Sequence, residues 1–150
     1  YKKLSIHAVY GESKLNKKDG FNGGLSFSME PYDKDSLPTE NTNVWGVFTG
    51  YARNGFRGGL EFDTKIQEDV SGQIFCIYAT YKINDKLSIL ARLDQDDADT
   101  SKDSDGIQAI IAGIHYIAGK GITIAPTVRV KAPEDGDSEN SIVLNFQFDF

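Results

Sequence analysis

The chain has 150 residues and a mass of 16.5 kDa, which suits one domain. Lys and Arg number 16 against 22 Asp and Glu, a formal net charge of -6, which argues against a nucleic-acid binder. No apolar run approaches the roughly 20 residues of a membrane helix, whereas a membrane β-barrel, whose strands need only alternate apolar residues, stays open. The single cysteine, Cys76, allows no internal disulfide. Tyr1 leads almost directly into an alternating segment with no signal sequence, so the chain reads as mature or as cut from something longer.

No 3.6-residue pattern persists over three turns; alternation recurs instead. Leu4, Ile6, Ala8 and Tyr10 oppose Ser5, His7, Val9 and Gly11. Gly23, Leu25, Phe27 and Met29 oppose Gly24, Ser26, Ser28 and Glu30. Trp45, Val47, Thr49 and Tyr51 oppose Gly46, Phe48, Gly50 and Ala52. Phe56, Gly58, Leu60 and Phe62 oppose Arg57, Gly59, Glu61 and Asp63. Phe75, Ile77, Ala79 and Tyr81 oppose Cys76, Tyr78, Thr80 and Lys82. Leu87, Ile89, Ala91 and Leu93 oppose Ser88, Leu90, Arg92 and Asp94. Residues 107–117 are more apolar throughout, with Ile110, Ala112, Ile114 and Tyr116 on the greasy face. Ile122, Ile124, Pro126, Val128 and Val130 oppose Thr123, Thr127, Arg129 and Lys131, and Ile142, Leu144, Phe146, Phe148 and Phe150 close the series. Successive side chains of a strand point to opposite faces, so each segment predicts a strand with one greasy and one wet face. The count is about nine strands of about ten residues, a length that crosses a bilayer at a tilt.

Asn54-Gly55 is a two-residue hairpin signal that pairs Ala52 with Arg57 and Tyr51 with Gly58. Asn84-Asp85-Lys86 and Ala118-Gly119-Lys120 read as further tight turns. Longer polar connections are expected over 31–43, 67–72, 95–106 and 132–140, and 11–20 reads as an extended polar loop. Short turns at one end and long loops at the other describe an all-β, antiparallel transmembrane β-barrel of the outer-membrane type.

Three stretches carry a family resemblance: Asp85 to Asp94, Ile110 to Tyr116, and Gly119 to Arg129. Together they resemble the C-terminal region of bacterial outer-membrane porins related to the phosphate-selective type. The ending Leu144, Phe146, Phe148 and Phe150, with alternating aromatics and a terminal Phe, resembles the assembly signal read by the barrel-assembly machinery. The resemblance is weak over Tyr1 to Asn43. It implies a single β-barrel region over residues 1–150, the C-terminal portion of a barrel of roughly 16 strands. A complete eight-stranded barrel, with a miscount near Tyr1 to Gly20, is the alternative.

The function implied is a porin: a water-filled channel in the outer membrane for passive diffusion of small hydrophilic solutes or ions. Lumen candidates are Arg57, Glu61, Asp63, Lys82, Arg92, Asp94, Arg129 and Lys131, with Arg92 and Arg129 as neighbours on a basic strip. Implied partners are outer-membrane lipid, lipopolysaccharide, the assembly machinery and a homotrimer; no nucleic acid and no cofactor is expected. Trp45, Tyr51, Phe56, Tyr81 and Tyr116 are candidates for an aromatic girdle.

The acidic stretch from Asp94 to Asp105 lacks the spacing of a calcium loop and reads as solvated loop. His7 and His115 are too far apart in sequence to suggest a metal pair. No nucleophile elbow, phosphate loop or paired-carboxylate pattern appears, so no enzyme is expected. The rival readings are a small closed outer-membrane barrel with a structural or adhesive role, and a soluble β-sandwich binding module, for carbohydrate for example, with its apolar faces packed inward.

Overall fold

The computed structural model describes residues 2–33 and 39–148. Nine strands form one antiparallel sheet in strict sequence order. They are β1 (Leu4–Gly11), β2 (Gly20–Tyr32), β3 (Glu40–Arg53), β4 (Phe56–Gln67), β5 (Val70–Lys82), β6 (Leu87–Asp97), β7 (Gly106–Gly119), β8 (Ile122–Pro133) and β9 (Glu139–Phe148).

Turn chemistry sets the register. Asn54 and Gly55 have φ of 52° and 83°, the positive values a type I′ turn requires, and Ala52 pairs with Arg57 and Tyr51 with Gly58. Lys120-Gly121 forms the β7–β8 tip, with Gly119 paired to Ile122 and a bulge between Ile117 and Gly119. This displaces the tight turn expected at 118–120 by one residue, because Gly121, at φ 74°, takes the left-handed position. The connection expected to be long over 67–72 is instead the tight Glu68-Asp69 turn, with Gln67 paired to Val70. Long and short connections therefore do not segregate cleanly to the two ends.

The register carries each face across the whole sheet. Leu25, Val47, Phe62 and Phe75 lie in one cross-strand row, and Leu60, Ile77, Leu93, Ile110 and Val130 in the next. Directly opposed apolar side chains stabilise such a sheet by roughly 0.2–1 kcal/mol per pair. The rings of Phe27 and Trp45 are one instance, with centroids 4.3 Å apart.

The sheet is open. Among the described residues β1 and β9 share no pairing, so the expected transmembrane barrel is not formed. An odd strand number works against closure. In an antiparallel meander of nine strands the first and last run in the same direction, so they could join only as a parallel pair. Both remain sheet edges.

No second layer covers either face of the described sheet, and the core is correspondingly small. Among the described residues the buried hydrophobic side chains are Ala52 and Cys76, at 2% and 6% exposure. Both lie on the polar face, as do the buried Thr123 and Thr127. The apolar face, by contrast, stands exposed from Ile6 to Phe148.

Candidate functional site

The polar face holds most of the chemistry. Reading the register across the strands, one row runs through Phe48, Glu61, Cys76, Asp94, Ala109 and Lys131. The adjacent row runs through Asn22, Gly50, Gly59, Tyr78 and Arg92, then Ile111 to Arg129. Arg57 lies one row beyond, paired with Ala52 and Thr80; Asp63 lies on the other side, paired with Gly46 and Ile74. Lys82 ends β5 and pairs with Asp85 at 2.6 Å.

The expected lumen residues thus share one face, but an open sheet encloses no lumen, and a chain that encloses none forms no channel of its own. Arg92 and Arg129 are separated by Ile111 on the intervening strand, about 10 Å at ordinary strand spacing. The Arg92 guanidinium is also engaged: its Nε donates to both carboxylate oxygens of Asp94 at 2.8 Å. That bond raises the pKa of Arg92. No free basic strip results.

Cys76 sits behind this pair, opposite Glu61 and Asp94. Burial pushes its thiol up to about 11, helped by a hydrogen bond to Asp94 and the charges of Asp94 and Glu61. It is a protonated wall thiol rather than a nucleophile. Burial also raises Asp63, whose carboxylate reaches over Gly46 beside Ser26.

A pocket of about 420 Å³ opens on this face between Phe48 and Tyr78. Beneath its wall two glycines, Gly50 and Gly59, lie side by side in one row, Gly50 under Leu15 and Asn22 and Gly59 under the Tyr78 ring. Its roof is the β1–β2 connection, which contributes Ser13, Leu15 and Asn16. That connection is anchored at both ends. Asn22 Nδ2 donates to the Glu12 carbonyl at 3.1 Å, and the Asn54 N–H donates to Asp19 Oδ2 at 3.0 Å. The alternation pattern places Phe48 and Tyr78 on the polar face, but nothing local in the sequence brings residues 13–16 over them.

The acidic residues from Asp94 to Asp105 diverge. Asp94 serves Arg92. Asp99 accepts from Lys102 Nζ at 2.7 Å, from Ser101 Oγ at 2.7 Å and from the Ser101 N–H at 3.2 Å, contacts that hold its carboxyl down at about 2. Among the described residues no group of three or more His, Cys, Asp or Glu is placed to hold a metal ion.

Trp45, Tyr51, Phe56, Tyr81 and Tyr116 belong to the exposed apolar face, with Tyr51 and Phe56 rings 6.4 Å apart. Leu144, Phe146 and Phe148 lie on the same face of the edge strand β9; Phe150 lies outside the described residues.

Comparison with protein-family models, curated proteins and solved structures finds no match for this chain. The porin resemblance has no support there, and the open sheet contradicts it. An outer-membrane location, lipopolysaccharide contact, the assembly machinery, a homotrimer and solute passage all depend on a closed barrel, and each is corrected with it. No helix among the described residues is long and apolar enough to cross a membrane.

Proposed function

We propose that the chain is a non-catalytic β-sheet interaction module, one layer of a two-layer sandwich whose second layer is another apolar sheet surface. The observation that carries this is the exposed apolar face. Leu25 is 62% exposed and Ile142 81%, while the buried hydrophobic side chains of the described sheet are two. Stable β architectures bury one face of each sheet against another layer. Contiguous apolar surface on this scale marks an interaction site. The aligned packing of two sheets about 10 Å apart suits branched and aromatic side chains of the kind displayed here.

In a purified sample the available surface of this chemistry is a second copy of the chain. Light scattering after size exclusion, over a dilution series, is expected to show a dimer that dissociates on dilution. Binding of a hydrophobic dye should rise as it dissociates. A monomer at every concentration, with cooperative unfolding and no dye binding, overturns the proposal.

A further inference from the structure

The pocket between Phe48 and Tyr78 opens on the side of the sheet opposite the apolar face. We propose that it takes a neutral polyhydroxylated ring, a saccharide.

Three features of the wall select that chemistry. The first is two aromatic rings, each lying over a glycine. A Cβ built at Gly59 would meet the Tyr78 ring at 2.7 Å, and one built at Gly24 would meet the Phe48 ring at 2.7 Å. Both rings therefore lie across bare backbone, and both line the pocket. The second is the polar set. Asn16, Asn22, Ser13 and Glu61 offer donors and acceptors together, the mixture that hydroxyl groups require. The third is charge. Among the described residues no Lys or Arg lines the pocket, and Glu61 contributes a carboxylate, so an anion would find no partner. A wholly apolar ligand would strip water from amides without replacing their hydrogen bonds. A sugar ring, with C–H groups on one side and hydroxyls at its rim, satisfies both kinds of wall.

The volume agrees. At about 420 Å³ the pocket lies within the range of small-ligand sites, roughly 300–1,000 Å³. The roof is held by its own backbone hydrogen bonds: the Lys17 and Lys18 N–H groups both donate to the Lys14 carbonyl and the Glu12 N–H donates to the Phe21 carbonyl. Preformed walls lower the ordering cost of binding. Gly50 is the sensitive point beneath two of the lining residues, Leu15 and Asn22. A Cβ there would come within 2.7 Å of Asn22 Oδ1 and 2.9 Å of Leu15 Cδ1, displacing both from the pocket wall.

The test is a titration of the full chain, followed by amide NMR, with glucose, galactose, mannose and N-acetylglucosamine, and with inorganic phosphate as the anionic comparison. The expected result is saturable shifts at Asn16, Asn22, Gly50 and Gly59 with at least one sugar and none with phosphate. Tyr78→Ala and Phe48→Ala should each weaken binding about tenfold or more, as removal of a central aromatic anchor does. Tyr78→Phe, which keeps the ring, should hold affinity within about twofold, and Gly50→Ala should weaken it. Where Tyr78→Ala loses its strand signature by circular dichroism, Gly50→Ala decides. The proposal is overturned by no saturable shift with any sugar, by shifts that phosphate reproduces, or by unchanged affinity in folded Tyr78→Ala or Gly50→Ala.

Discussion

Leu25→Asn separates a covered apolar face from a bare one. Leu25 lies between Ala8 and Val47 in a cross-strand row of that face, and is 62% exposed in the isolated sheet. Full burial of a leucine side chain is worth about 1.5–3 kcal/mol. The fraction still open at Leu25 leaves about 1–2 kcal/mol to be gained when a second layer covers it. In a dimer of two copies the substitution acts twice, so about 2–4 kcal/mol of association is lost, and an unpaired buried amide adds to it. With tenfold in affinity per 1.4 kcal/mol, the concentration at which the dimer half-dissociates should rise by at least about 30-fold. On a bare monomer the same substitution is a surface change, within about 0.5 kcal/mol. The assay is light scattering against concentration, with urea unfolding of the monomer as the reference. A Leu25→Asn chain that dimerises as tightly as the unsubstituted one refutes the face-to-face reading.

Three further outcomes follow from local geometry. Gly55→Val should destabilise the chain by about 1–2 kcal/mol in urea unfolding, since Gly55 holds φ 83° and its Cβ would meet only Lys82 at an ordinary 3.4 Å; a loss below about 0.5 kcal/mol refutes a backbone origin. Asp99 titrates at about 2, below its unfolded value, so the loop contacts it makes stabilise the fold above the ordinary carboxylate range and are lost as pH falls through about 2. The Ser101 amide resonance should report that midpoint, and a transition near the roughly 3.9 of an unperturbed aspartate would contradict the assigned hydrogen bonds. Cys76, pushed up to about 11, should react with thiol reagents far more slowly at neutral pH than a free thiol, and Asp94→Asn should speed labelling by removing a bond and a charge that raise it. A half-maximal rate near the roughly 8.5 of an unperturbed thiol counts against the burial described.

Some of this was legible in the chain itself. The strand pattern was, because alternate side chains must point to opposite faces: Trp45, Val47, Thr49 and Tyr51 could not share a face with Phe48 and Ala52. The β3–β4 hairpin was, because Asn54-Gly55 tolerates the positive φ that a two-residue loop imposes. The turn at Glu68-Asp69 was not. Glu68 takes φ 55° there, a conformation its side chain does not advertise. The aromatic pocket was half legible: alternation assigns Phe48 and Tyr78 to the polar face, but the roof depends on Asn22 and Asn54 capturing residues 12–19.

Alone, the sequence determined a run of about nine amphipathic strands, most of their faces and the tightest of their turns, because those follow from backbone periodicity and φ preference. Only the tertiary structure decided that the sheet stays open, that Ile111 stands between Arg92 and Arg129, and that nothing among the described residues covers the greasy face. The reason is that alternation states which side chains lie together on a face. It carries no information on which two edges meet, nor on what lies against the face.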